Sequence, residues 1–286
     1  MYLILYNPIS RNGKKVKKVY RYFKYNVKKE GEKIRIKSLL NIKSPKDFLS
    51  NLKKETKVIL FGGDGTLNRL INEVYGSDLP ELYLYTGGTG NDFRRSIKEK
   101  GKFIKINEYL NRVPYVKYNN QQSLFLNGIG LGVDGSVCEK VNLSRANRSK
   151  SNFFGCTIKA LREYKPKKMS VTIDGIKREF NKCYLISVLN GPYMGGGMKF
   201  SPNSNRLDDV LEVLVAHDIT TAKILRLFPS IYRGKHLKYK EHVTLLSGKE
   251  IIIESSEDSI MQIDGEHHYN IKKIEVSFEN NKEETK

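Results

Sequence analysis

The sequence predicts an α/β domain over residues 1–112, followed by a β-rich, sandwich-like domain with a few helices over residues 113–286. Three observations carry this. Short apolar runs alternate with helical patterns through the first third, as in a parallel sheet covered on both faces. Turns leading from these strands into helices are rich in glycine, asparagine, aspartate and threonine. Near residue 113 the pattern changes, and strand-like runs separated by turn signals dominate.

In order, "YLILYN" (2–7) reads as a buried strand, and Val16, Val19, Tyr20, Phe23 and Val27 recur at helical spacing opposite a lysine-rich face. "KIRIKS" (33–38) is a second strand, and Ser44 followed by Pro45 opens a short helix. "KVILF" (57–61) is the third strand, and Leu67, Leu70, Ile71 and Val74 mark the next helix. "ELYLYT" (81–86) is the fourth, after which Phe93 and Ile97 belong to another helix. In the second domain "PYVKYNNQQSLFLNG" reads as a hairpin with a polar tip. Strand-like runs follow at 168–173, 183–190, 210–216, 243–246, 250–254, 259–264 and 271–278, with helical stretches near 134–164 and 219–233. The polar tail "ENNKEETK" is expected to fray.

Composition excludes several classes. With 39% hydrophobic and 29% charged residues the chain reads as a globular protein, and no apolar run approaches the ~18 residues that span a bilayer. "MYLILY" is too short for a signal peptide, so a cytoplasmic location is expected. Cys138, Cys156 and Cys183 are odd in number and widely spaced, supporting neither a disulfide framework nor a zinc site. The net charge of +20 suits an anionic partner: nucleic acid, a membrane surface or a phosphate-bearing substrate. The lysines are scattered through every segment and no RNA-binding signature occurs, so no specific nucleic acid is expected.

The chemistry concentrates in three turns. "NPISRNGK" (7–14), "GGDGTLN" (62–68) and "GGTGNDF" (87–93) each follow a strand and open a helix, so they share the carboxyl edge of the sheet where α/β folds bind ligands. Glycine lets a backbone approach a bulky ligand, and helix N-termini favour phosphate. Asp64 inside such a cradle calls for a cation, most simply Mg²⁺, or for a donor from a neighbouring loop. The alternative is three tight turns in which Asp64 and Asp92 merely cap helices. No GxxxxGK[ST] occurs, and the GxGxxG at Gly130, Gly132 and Gly135 lies in the β-rich half without the acidic residue expected ~20 positions on.

Taken in order, "NPISRNGK", "GGDGTLNRLINEV", "GGTGNDFRRS", "FLNGIGLGVDGSV", "NGPYMGGGMKFSPN" and "QIDGE" resemble the diacylglycerol kinase catalytic-domain family of bacterial lipid kinases, which also includes sphingosine kinases. GGDGT alone is shared with NAD kinases and 6-phosphofructokinases; its combination with GTGNDF and the late DGE is more specific. The resemblance implies a Rossmann-like or flavodoxin-like α/β domain, a β-sandwich-like domain, and ATP in the cleft between them. It implies that Gly62, Gly63, Asp64, Gly65 and Thr66 hold the phosphates. Asn7, Asn68, Thr89 and Asn91 would add contacts, with Ser38 as a nucleotide-contacting hydroxyl. Asp64 and Asp92 would serve the catalytic network, and Asp264 or Glu266 would supply the base; the competing reading of Asp264-Gly265 is a plain hairpin turn.

The same resemblance implies a structural Mg²⁺ in "SPNSNRLDDVLEV" (201–213), held by the Asp208 carboxylate and backbone carbonyls near Asn205 and Val210. Three departures stand out: Asp209 where glycine is usual, Leu207 where a polar residue is common, and Arg11 in place of a first-loop glycine. A non-glycine residue at 209 resists positive φ. The implied activity is transfer of the ATP γ-phosphate to a lipid alcohol at an anionic membrane surface, with diacylglycerol the first candidate and a sphingoid base or another lipid alcohol the alternatives. An NAD kinase is the competing soluble-substrate reading, but "LFLNGIGLGVDGS" lacks the Asn-Glu pair expected there. The stretch 220–240 mixes aliphatic with basic residues and could touch the bilayer, although Pro229 interrupts it and a plain domain helix is the simpler reading. An edge strand of either sheet could pair with a second copy to form a homodimer.

Overall fold

A computed structural model describes residues 1–10, 16–27, 32–85, 91–144 and 150–279. The chain forms two compact units, Met1–Arg112 and Val113–Lys286. Arg11, Gly87, Gly88, Thr89 and Gly90, together with the tail beyond residue 279, lie outside the described residues.

The first unit carries strands β1 (Tyr2–Tyr6), β2 (Ile34–Ser38), β3 (Lys57–Phe61), β4 (Glu81–Tyr85) and β5 (Phe103–Lys105) in the order β2-β1-β3-β4-β5. The first four run parallel, and β5 returns antiparallel to β4. That fifth strand was not among those predicted; three residues are too few for periodicity to reveal. Helices α1 (Val16–Val27), α2 (Pro45–Ser50), α3 (Asp64–Val74) and α4 (Asp92–Ser96) connect them. Ser44 caps α2 by accepting from the Asp47 amide at 3.3 Å, with Pro45 behind it. Alternation divides the sheet faces. Ile4, Ile59 and Phe61 form one cluster with Tyr2, Tyr6, Tyr83, Tyr85 and Phe103, in which Phe61 stacks on Tyr85 at 4.4 Å. On α3, Leu67, Leu70, Ile71 and Val74 are all buried, as their spacing predicts. Because β1, β2 and β3 are parallel and pair Tyr6 with both Ser38 and Phe61, the residues that follow β1 and β3 emerge beside the end of β2 at one sheet edge.

The second unit is built on a nine-stranded sheet of β6 (Pro114–Tyr118), β7 (Gln121–Leu124), β8 (Gly128–Gly132), β9 (Lys167–Ile173), β10 (Ile176–Leu189), β11 (Leu211–His217), β12 (Val243–Gly248), β13 (Ile251–Ile263) and β14 (Glu266–Phe278). The two runs expected at 250–254 and 259–264 are one long strand, β13, interrupted by register shifts between Glu254 and Met261. β14 pairs along almost the whole of β13. β8 and β9 must therefore share β13's other edge, end to end, and both also pair with β10. Three two-residue hairpin turns put both central residues at positive φ: Asn119-Asn120, Asp174-Gly175 and Asp264-Gly265.

One core cluster draws from β6, β8, β9, β10, β11, β13 and β14 and contains no helical residue, although its members are almost fully buried. The sheet thus supplies both walls of that core, which is the sandwich-like arrangement the sequence predicts. Helices α5 (Val133–Leu143), α6 (Lys150–Glu163) and α7 (Thr221–Leu227) contribute to a separate cluster with Tyr184, Leu185 and Ala216. The helical stretch expected over 134–164 is thus two helices, α5 and α6. The GxGxxG match owes its glycines to packing. Gly132 sits at φ 111°, and a Cβ on Gly135 would lie 2.1 Å from the Ile260 carbonyl oxygen.

Candidate active site

In the first unit the glycine turn and its neighbours are stitched together by side chains. Asn7 follows β1; its amide N–H reaches the Phe61 carbonyl at 3.1 Å, and its Nδ2 donates to Thr66 Oγ1 at 3.2 Å. Its Oδ1 turns back to accept from the Ile9 amide at 3.1 Å. Asp64, the first residue of α3, reaches across the sequence instead of capping its own helix. Oδ2 accepts from the Asp92 amide at 2.8 Å and Oδ1 from the Phe93 amide at 3.3 Å, at the start of α4. Of the two expected roles for Asp64, the neighbouring-loop donor is the one seen. Asp92 is not a cap either: Asn91 holds that position, and Asp92 lies buried with Arg95 Nη1 3.7 Å from its Oδ1.

The glycines differ in why they are needed. A Cβ on Gly62 would sit 2.4 Å from Thr66 Cβ, so close packing alone requires glycine there. Gly63 has an ordinary φ of −105° and gives α3 no side-chain cap. A Cβ on Gly65 would meet nothing within 4 Å. Neither crowding nor backbone strain demands glycine at 65; a side chain there would only cover the start of the helix. Asn91 is buried, its Nδ2 has no hydrogen-bond partner, and its Oδ1 lies 3.9 Å from where a Gly63 Cβ would be. An unsatisfied buried donor beside an uncapped helix start suits an anion. Asn68 stands one turn along α3 from Asp64, its Oδ1 accepting from Asn72 Nδ2 at 3.2 Å. Ser38 caps the short 3₁₀ turn Leu39–Asn41 by accepting from the Leu40 amide at 3.3 Å. Thr89 lies outside the described residues.

In the second unit Asp264 occupies a tight hairpin turn at φ 45°, as the plain-turn reading requires, yet its carboxylate does much more. Oδ2 accepts from the Leu126 amide at 2.5 Å, and Oδ1 from the Asn127 and Gly128 amides at 2.8 and 3.1 Å. Desolvation raises the pKa of this carboxyl; the three amides and the Arg206 charge pull it the other way. The residue retains some surface while its carboxylate turns inward. Arg206 is buried; it donates through Nη1 to the Leu126 carbonyl and through Nη2 to Asn127 Oδ1 at 2.6 Å. Glu266 is exposed at the start of β14.

Sequence reasoning missed Arg206, Asn127 and Gln262. Gln262 receives the Gly265 amide on Oε1 at 2.9 Å and donates through Nε2 to Asp134 Oδ2 at 3.0 Å, so one amide ties the turn to a carboxyl on α5. Burial pushes the Asp134 carboxyl up to about 6, against the opposing Gln262 bond. Asp134 borders a narrow cavity of about 120 Å³ whose walls are otherwise mostly apolar, including Val137, Phe153, Leu161, Met198 and Phe228. His236 also lines it; its Nε2 faces the Phe200 carbonyl at 3.1 Å, and its buried Nδ1 has no partner. Desolvation lowers the His236 pKa.

In the 201–213 segment, Asn205 Oδ1 accepts from the Leu207 amide at 3.3 Å and Asp208 Oδ1 from the Val210 amide at 3.3 Å. Asp209 does not adopt positive φ, so the strain anticipated for a non-glycine residue does not arise. Burial and the Asp208 charge together raise the Glu212 pKa. Among the described residues no cluster of three His, Cys, Asp or Glu side chains forms, so a cation held here would draw on backbone carbonyls.

The chain thus pairs an α/β unit carrying a glycine turn at its sheet edge with a sandwich-like unit carrying a carboxylate-bearing turn. Residues 1–115 match the diacylglycerol kinase catalytic domain, and residues 127–276 match the YegS C-terminal NAD kinase beta sandwich-like domain. The chain belongs to this family of diacylglycerol-kinase-type lipid kinases. It is 27% identical over 231 residues to the "Putative lipid kinase YtlR" of Bacillus subtilis, covering 74% of each chain. To the diacylglycerol kinase of Mycobacterium tuberculosis it is 24% identical over 206 residues, covering 69% of this chain and 66% of that one. In fold it is similar to the crystal structure of a "putative diacylglycerol kinase" from Bacillus anthracis, with a TM-score of 0.65, 23% identity, and 98% and 92% of the two chains covered.

Proposed function

We propose that this protein is an ATP-dependent lipid kinase that transfers the γ-phosphate to the hydroxyl of a lipid alcohol, with diacylglycerol as acceptor and phosphatidic acid as product. Family membership supports a kinase. The observation that carries the acceptor is the narrow, mostly apolar cavity bordered by Asp134 and His236. Its apolar wall does not suit a dinucleotide, and an alkyl chain is what such a wall recognises. His236 Nδ1 is a buried acceptor without a donor, a group a lipid hydroxyl or glycerol O–H can satisfy.

The geometry supports the following roles. The backbone around Gly63 and Gly65, Thr66 Oγ1 and Asn91 Nδ2 bind phosphate oxygens, with Asn7, Ser38 and Asn68 adding contacts; Thr89, outside the described residues, is assigned on sequence alone. Asp64 fixes the start of α4 relative to the start of α3, so both present their amides together. Glu266 takes the hydroxyl proton. Asp264, whose oxygens already hold three amides, positions the turn that carries Glu266. Mg²⁺ supplies charge neutralisation on the phosphates when ATP is bound. A second, structural Mg²⁺ would be held by Asp208 with carbonyls at Asn205 and Val210; the donor set is oxygen-only, and the crowding of Asp208 and Glu212 charge suits a cation. The protein would work at the cytoplasmic membrane surface.

Incubation with γ-labelled ATP and diacylglycerol in mixed micelles is expected to yield labelled phosphatidic acid, reduced on the order of 100-fold or more in Asp64→Ala. Label on NAD and none on lipid would support the dinucleotide reading instead. Full activity in Asp64→Ala would remove the proposed mechanism.

A further inference from the structure

The segment from Thr220 to Lys240 contains six Lys or Arg and no Asp or Glu. It folds as α7, then the 3₁₀ turns Phe228–Arg233 and Lys235–Lys238, with no helix long enough to swallow its aromatics. Two large aromatic residues stand exposed beside it, Phe154 of α6 at 47% and Tyr232 at 43%. Both contact Phe228: the Phe154 ring lies 6.1 Å from it and the Tyr232 ring 6.2 Å, edge-on. Phe228 itself lines the apolar cavity together with Phe153, Leu227 and Ile231. The exposed aromatics are therefore one ring away from the cavity interior.

Charge completes the picture. Arg226, Arg233 and Lys235 are exposed on this segment and form no ion pair among the described residues, whereas Lys223 has Glu241 at 3.7 Å. Elsewhere on this unit exposed lysines have acidic partners, as in Lys168–Glu179, Lys177–Glu254 and Lys273–Glu275. Uncompensated positive charge around an aromatic cluster matches a surface that offers anionic headgroups above an apolar interior. A protein partner would need complementary acids and a matching shape; a bilayer needs only this composition.

We propose that the face formed by Phe154, Phe228, Tyr232, Arg226 and Arg233 docks on an anionic bilayer and delivers the acceptor chain from the membrane into the cavity behind Phe228. This rests on the lipid-kinase reading for the purpose of docking, while the docking itself can be measured without catalysis. Insertion of the two exposed rings would remove water from the path, and the arginines would hold the mouth against the headgroups.

The full-length protein, without ATP, is sedimented with vesicles of phosphatidylglycerol and phosphatidylcholine, and with vesicles of phosphatidylcholine alone. Binding to the anionic vesicles is expected, weakening as salt rises, with little on the neutral ones. Phe154→Ala with Tyr232→Ala should weaken partition by about tenfold. Arg226→Glu with Arg233→Glu should do the same through charge alone; both pairs are exposed, and unchanged melting temperatures would show that each variant folds. Ile176→Ala, which removes an even more exposed apolar side chain at the β9–β10 turn, should leave partition unchanged. Wild-type protein that ignores anionic vesicles, or variants that bind as wild type does, would overturn the proposal. So would light scattering in which the variants turn a dimer into a monomer with partition intact, since the face would then join two copies. Activity on a short-chain, monomeric diacylglycerol is read separately. If wild type lacks it yet partitions through these residues, the kinase reading fails and the docking face stands; if the variants keep it while losing activity on vesicles, both stand.

Discussion

Asp64, at the start of α3, receives the Asp92 and Phe93 amides, whereas Asp264, in the turn between β13 and β14, receives three amides and faces the Arg206 guanidinium. Both carboxylates hold a distant loop by its backbone. The first does so at a helix start where a Cβ on Gly65 would meet nothing within 4 Å. The second does so with its carboxylate turned inward, in a network that also includes Asn127 and the Leu126 carbonyl. A motif carboxylate can therefore hold a distant loop in place by its backbone, and the amount of water around it decides how much of the fold depends on it.

The largest effect expected separates Glu266 from Asp264. Glu266→Gln should lower kcat by about 10²- to 10⁴-fold with an unchanged melting temperature. If Glu266→Gln stays active while a folded Asp264→Asn is dead, the proton-accepting role belongs to Asp264 and the comparison reverses. Next in size is stability itself. Asp264→Ala strands three amides and leaves Arg206 without its facing carboxylate, so urea unfolding should show a loss of about 3 kcal/mol or more. Asp64→Ala, which removes a partly exposed helix cap, should cost about 1 kcal/mol. Equal losses would show that solvent access does not distinguish the two.

Asp134 sharpens the contrast, because its carboxyl is desolvated but has Gln262 as its side-chain donor. Its folded pKa, near 6, lies above the ordinary 3.8, so folding favours the protonated form. The penalty for charging it is absent below about pH 4, grows as pH rises through 4 to 6, and is fully present above that. Asp134→Asn should match the wild type in thermal unfolding at pH 4 and exceed it by on the order of 2 kcal/mol at pH 8. An unchanged difference across that range would mean the carboxyl is better solvated than its surroundings indicate. The glycine turn offers a comparison within a single loop. Gly62→Ala, clashing with Thr66, should cost about 2 kcal/mol. Gly65→Ala, in a helix with open space around it, should add up to about 1 kcal/mol while weakening ATP in calorimetric titration. A Gly65→Ala variant that binds ATP normally would count against the cradle.

What the sequence made legible is local. Strands β1–β4, the amphipathic α3, the Ser44-Pro45 helix start and the Asp-Gly turns each carry their signal within a dozen residues. The three glycine turns could be placed at one edge because parallel strands leave no other arrangement. The rest depends on long-range closure. Asp264 meets Leu126 at a sequence separation of 138, and Gln262 meets Asp134 at 128. No periodicity announces such pairs. Arg206 read as one more residue of a loop, and only the folded chain shows it buried against Asn127. The cavity was invisible for the same reason: its walls come from α5, α6, α7, β10, β11 and the 3₁₀ turns, each unremarked alone.

The seam in the nine-stranded sheet has a further implication. β8 ends at Gly132 and β9 resumes the same slot at Lys167, so the chain leaves the ladder, builds α5 and α6 outside it, and returns to the lane it left. Those helices are a detour with both ends anchored in a finished scaffold. Their length and wall chemistry can change while every rung of the sheet keeps its partner, so the cavity wall they form is the part of the unit least tied to the ladder.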